Sequence, residues 1–209
     1  MMRFLVAALC ALFLVPAARA AVPDALHFTV LRDGDAVGHH TVAFHQQAQD
    51  LDVTIDTDVV VKIIIVPVYR FTHHDEEVWR GGRLVSLTSK TDDDGTPHHL
   101  TVAADAAGLA VTGDDKPSRL PPATVPASLW NPATVTQATL LNTLNGSAMA
   151  VKVADLGTET VTVHGQPRSA HHYALTGDLA RELWYDADGT LVQVRFKAKD
   201  DSDIRYVLQ

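Results

Sequence analysis

The residues best suited to chemistry are His73, Asp75 and Glu77, which alternate along Phe71-Thr72-His73-His74-Asp75-Glu76-Glu77. Side chains two apart in an extended segment share a face, so these three would offer one nitrogen and two carboxylates to a divalent metal. The plainer alternative is a charged, solvated strand end that blunts a sheet edge. Four pairs, His39-His40, His73-His74, His98-His99 and His171-His172, raise the same question. Strand neighbours point to opposite faces, so no pair chelates by itself, and a site would need one His from each of several strands. Asp92-Asp93-Asp94-Gly95 reads as a turn, because the longer ligand loop and distant Glu of an EF-hand are missing. The chain has no Gly-x-Ser-x-Gly elbow, His-Glu-x-x-His pair or phosphate loop; no cofactor is implied, and the reading leans away from an enzyme.

A second candidate set is apolar. Ile63, Ile65, Tyr69, Phe71, Trp79, Trp130 and Leu141 could line a pocket for an acyl chain or similar ligand beneath a short helix. The alternative is that all seven belong to the core.

The elements that must position these residues are strands. Leu51-Asp52-Val53-Thr54-Ile55-Asp56 alternates strictly, as do Val192, Val194 and Phe196 against Gln193, Arg195 and Lys197. Val59 to Val66 is apolar on both faces except for Lys62, which predicts cover on both faces or a curved sheet enclosing something apolar. Pro117 to Pro132 holds five prolines and cannot be helix or central strand. Asn131 as N-cap, Pro132 at the first helical position and Asn145-Gly146 as the stop predict a helix over 132–144, although four Thr weaken it. The reading is mainly β: a large curved antiparallel sheet, an open or half barrel of about ten strands, with one short helix packed on it.

Residues 1–20 combine Arg3, an apolar run from Phe4 to Val15, Pro16 and the small-x-small ending Ala18-Arg19-Ala20, which predicts a signal peptide cleaved after Ala20 and a bacterial periplasmic location. The run is too short to span a membrane. Residues 21–209 then form a single all-β domain without Cys, since Cys10 leaves with the signal. Loss of Arg3 and Arg19 takes the formal charge from −8 to −10, which argues against nucleic acid and against bulk attraction to anionic headgroups.

Two stretches echo each other. Glu77-Val78-Trp79 with Gly81-Gly82 and Leu84-Val85 matches Glu182-Leu183-Trp184 with Gly189 and Leu191-Val192, a hairpin signature used twice. Val66-Pro67-Val68-Tyr69-Arg70-Phe71, Thr91-Asp92-Asp93-Asp94-Gly95, Ser128-Leu129-Trp130-Asn131-Pro132 and Leu183-Trp184-Tyr185-Asp186 together resemble a family of uncharacterised exported bacterial proteins, a domain of unknown function. The architecture also resembles, more distantly, the lipoprotein-carrier (Lol-type) periplasmic proteins, which hold acyl chains in an apolar concavity under a helical lid. These resemblances imply no assigned activity, and fold alone implies none. Three functions stay open: a carrier for an apolar small molecule or lipid, ranked first; a metal-dependent envelope enzyme; and a structural or assembly factor.

Overall fold

The computed structural model describes residues 25–114 and 116–209, so the signal peptide expected over 1–20 lies outside the described residues. The first half is an antiparallel meander of β1 (Ala25–Arg32), β2 (Asp35–Gln47), β3 (Asp50–Ile63), β4 (Val66–Arg80), β5 (Arg83–Asp93), β6 (Thr96–Asp105), β7 (Gly108–Thr112) and β8 (Ser118–Leu120). After β9 (Val125–Pro126) and a 3-10 turn (Pro132–Thr136), the chain returns through β10 (Thr139–Leu141), β11 (Ala148–Val163), β12 (Gln166–Gly177), β13 (Arg181–Tyr185), β14 (Leu191–Lys197) and β15 (Asp203–Leu208). β15 pairs with β1, giving one sheet in the order β8 to β1, then β15 back to β9. Its two edges, β8 and β9, are consecutive in the chain. The link from Leu120 to Val125 spans at most about 18 Å, so the sheet must curl until its edges approach.

Alternation decides which side faces in. On β3, Val53, Ile55, Thr57, Val59 and Val61 are buried while the intervening residues are exposed or half-buried. Partners across the ladder share that inner face: Leu26 and Phe28 on β1, Val42 on β2, Leu87 on β5, Leu100 and Val102 on β6. The two hairpins of the sequence echo are β4–β5 and β13–β14. Each carries a bulge beside its Trp, between Val78 and Trp79 in one and between Trp184 and Tyr185 in the other.

Two expectations are corrected. The sheet has fifteen strands rather than about ten, because segments of two to five residues at its edges and in the Pro-rich stretch also pair. The helix over 132–144 is a single 3-10 turn, Pro132–Thr136. Its start is as read: Asn131 Oδ1 accepts from Ala133 N and Pro132 opens the turn. It stops after one turn because Thr134, Val135 and Thr136 are all β-branched, and Gln137 is already extended. Asn145-Gly146 is consequently a loop turn rather than a helix stop, with Gly146 at φ 83°.

Between Pro121 and Ser147 the loops around β9 and β10, in place of a helix, pack against the concave face as a plug. Trp130 meets Phe44 and Trp79 edge-on, with ring centroids 5.3 and 5.5 Å apart. Tyr185 Oη donates to Leu129 O, and Ser89 Oγ donates to Thr143 O, so this plug is tied to both halves of the sheet. Gly113 lets it approach closely, since a Cβ there would lie 2.1 Å from Asn145 O.

Candidate functional site

Strand register assembles a polar rung across the inner face. Phe28 lies opposite His40, His40 opposite Thr57, Thr57 opposite His73, His73 opposite Thr91, and Thr91 opposite His98. One member of three of the four His-His pairs thus lies on a single line, the other member facing away as the strand period requires. His40 Nδ1 is hydrogen-bonded with Thr57 Oγ1 at 2.8 Å, and His73 Nδ1 with Thr91 Oγ1 at 2.7 Å. Burial, reinforced by mutual repulsion with His73, lowers His40 to about 3. Burial with the neighbouring His74 lowers His73 to about 4. Both rings are therefore neutral at neutral pH. His98 is bonded instead to Asp114.

Two carboxyls lie below this rung. Asp75 sits between Ile55 and Ser89 in the ladder, fully buried, and neither of its oxygens has a hydrogen-bond partner. His73 Nε2 is 3.9 Å from Asp75 Oδ2. Burial, then repulsion from Glu77 and Glu76, raises Asp75 to about 9, so it holds its proton at neutral pH. Glu77 Oε2 accepts from Trp79 Nε1 at 2.6 Å and Trp130 Nε1 at 3.0 Å, while Oε1 has no partner. Burial pushes Glu77 up against the opposing pull of these donors. A protonated Asp75 beside a Glu77 capped by two indoles can hold a proton and specify packing. It is closed to an external substrate.

Above the rung the concavity opens. Val30, Val59 and Val61 form a second apolar cluster, and Val37, Tyr69, Phe71, Ile204 and Tyr206 pack on it half-buried. Tyr206 packs 5.2 Å from the His40 ring and 6.1 Å from Phe196. The Arg181 guanidinium lies 3.7 Å above the Phe196 ring. Arg181 is half-buried, burial lowers its affinity for the proton, and no carboxylate pairs with it among the described residues. An open depression of about 410 Å³ adjoins this mouth between the β1–β2 turn and β3, lined by Val37, Val61 and Lys62 among others.

The structure separates the apolar candidates into three groups. Tyr69 and Phe71 line the mouth. Trp79 and Leu141 are buried in the main core, and Trp130 packs against it. Ile63 and Ile65 are exposed at the β3–β4 tip, so the expectation of cover on both faces fails over Ile63–Val66, where the hairpin leaves the sheet. His73, Asp75 and Glu77 do share a face, but each turns to different neighbours, and among the described residues no three His, Cys, Asp or Glu converge as a metal would require. The solvated-edge alternative fails too: all three are buried, because β4 is a central strand under the plug. Sequence reasoning missed Arg181, Phe196 and Tyr206 as site residues. A cation on the inward alternation of Arg181, Leu183 and Tyr185 was the available signal.

The profile of a domain of unknown function, DUF6134, matches residues 28–209, nearly all that the strands occupy. The chain belongs to the DUF6134 family. No curated protein matches this family member. A crystal structure of a beta-barrel-like protein of domain of unknown function DUF1849 from Brucella abortus is similar in fold, with a TM-score of 0.60 and 11% sequence identity. The match covers 88% of this chain and 94% of that one. At that identity the likeness speaks for the fold alone. It agrees with a DUF6134 sheet curled like a barrel and left open between β8 and β9.

Proposed function

We propose that this protein is an exported binding module, acting in a bacterial periplasm, for an amphipathic ligand with an apolar body and an anionic head. Arg181 is the observation that carries this reading. A half-buried guanidinium that donates to Ala180 O at 2.7 Å but has no carboxylate partner among the described residues leaves part of its hydration uncompensated, which an incoming anion would offset. Its planar fork suits a carboxylate or phosphate in particular. It stands over Phe196 beside Tyr206, at the mouth whose apolar side is Val59, Val61, Tyr69 and Phe71. The neutral His rung and filled core beneath would stop the ligand there, so the site is shallow. The sequence pattern over residues 1–20 supports export.

Calorimetric titration with a long-chain carboxylate, and with the alcohol of the same chain length, tests the reading. The carboxylate is expected to bind more tightly. Arg181→Gln should remove that preference, and Phe71→Asp should weaken both ligands. Absence of binding by either ligand, or an unchanged preference in Arg181→Gln, would refute the assignment.

A further inference from the structure

We infer that the β3–β4 tip is a docking finger that seats in the surface of an anionic phospholipid bilayer. β3 pairs with β2 only as far as Val59 opposite Gly38, and β4 pairs with β5 only as far as Phe71 opposite Asp93. β3 and β4 pair with each other on to Ile63 and Val66. The hairpin thus continues about four residues beyond the ladders that hold it, roughly 13 Å at the rise of an extended strand.

Its tip is the apolar exception of the surface. Ile63, Ile64, Ile65, Val66 and Val68 are all exposed, Ile64 by 93% and Ile65 by 82%. Leu156 is the other large hydrophobic side chain so exposed among the described residues. Ile64 also has φ 61°, a strained conformation for a β-branched residue, and no other β-branched residue shares it among the described residues. The corresponding turns of β1–β2 and β5–β6 are Asp33-Gly34 and Asp94-Gly95, residues that take this geometry at little cost. Solubility and backbone energetics both oppose isoleucine at this tip, so its presence there points to a contact outside the fold.

Charge and shape favour the bilayer as that contact. From Val59 to Thr72 the hairpin carries Lys62 and Arg70, both exposed, and no carboxylate, although the chain as a whole is at −8. Aliphatic side chains at a point, with cations set back from it, match acyl chains beneath anionic headgroups. A protein partner would more commonly be met by central Trp, Tyr or Arg anchors, and Ile63 to Val68 include none. This inference stands independently of the ligand reading, because it uses the outer tip and not Arg181.

Flotation of the purified protein with vesicles tests it. Binding is expected to vesicles of phosphatidylcholine and phosphatidylglycerol in equal parts, weaker binding to phosphatidylcholine alone, and a decline with added salt. The double variant Ile64→Asn, Ile65→Gly should lose about tenfold or more in binding, the loss expected from withdrawing two aliphatic side chains. Its melting temperature should hold or rise, since the new pair suits the turn, so misfolding could not account for the loss. Lys62→Gln with Arg70→Gln should abolish the preference for anionic vesicles. A wild-type protein that does not float, or a tip variant that floats equally well, would overturn the proposal. So would a dimer seen by sedimentation velocity that the tip variant abolishes while no vesicle binding is found, since a second copy would then be the occupant.

Discussion

The β4–β5 and β13–β14 hairpins share Glu-x-Trp, a bulge and a Leu-Val start, yet they turn opposite sides inward. In β4, Glu77 and Trp79 are the inner residues, with Val78 between them half-buried. In β13 the inner residue is Leu183, fully buried, and Glu182 faces the other way toward His172 with 41% of its side chain exposed. Both Trp rings are nonetheless buried, by different partners. Trp79 donates to Glu77 two residues away and meets Trp130, whereas Trp184 stacks on His172 at 4.1 Å and donates to Glu159 of β11. A shift of one residue exchanges the faces of a strand, so the same short motif supplies a sealed acid in one copy and a solvated one in the other.

The largest test of that contrast is Trp79→Ala against Trp184→Ala. Each should cost about 3 to 5 kcal/mol in denaturant unfolding as a large buried ring is lost. Trp79→Ala should cost more, because it also strips a donor from the buried Glu77. Equal losses would mean that the environments of the two rings do not differ energetically. Glu77→Ala comes next, at about 2 to 4 kcal/mol, since it opens a cavity and leaves two indole N–H groups unpaired.

The pH dependence of stability should show the same asymmetry. Asp75 has its folded value raised from 3.8 to about 9, so the unfolded chain ionises first and stability falls as pH rises from about 4 toward 9. Asp75→Asn should flatten the alkaline part of that decline. His40 and His73 have folded values lowered from 6.5 to about 3 and about 4, so the unfolded chain takes up protons first and stability falls as pH drops below about 6.5. Chemical denaturation at a series of pH values reads both limbs, and an alkaline limb unchanged in Asp75→Asn would contradict the assignment of a buried neutral acid. The smallest effect belongs to Glu182→Ala, within about 0.5 kcal/mol, as expected for a solvated side chain.

Much of the sheet was legible because a half-buried strand writes its period into the sequence. Asp52, Asp56, Gln193 and Arg195 against Val53, Ile55, Val192 and Val194 identify strands and their faces without further information. The short strands β8, β9 and β10 were hard to read because two or three residues carry too little period, and because neighbouring prolines obscure the pairing that is possible at the edges β8 and β9. The helix start at Asn131-Pro132 was legible as local hydrogen-bond chemistry. Its early end was less so, since it depends on β-branched crowding and on the plug's contacts with the sheet. Of the candidate site, the shared face of His73, Asp75 and Glu77 could be read directly, but their burial could not.

The sequence by itself determined the strand pattern, the twinned Trp hairpins, the net negative charge and the absence of a known catalytic motif. Each follows from local geometry or composition, which need no partner in space. Tertiary structure alone decided that His40, His73 and His98 lie on one rung, because register between strands depends on how the whole sheet aligns. It also decided that Asp75 is buried and that the plug caps Glu77, that Arg181 remains without a counter-ion among the described residues at the mouth, and that Ile63 to Val66 leave the sheet. Burial and pairing belong to what surrounds a residue, and in this chain the surroundings come from segments far apart in sequence.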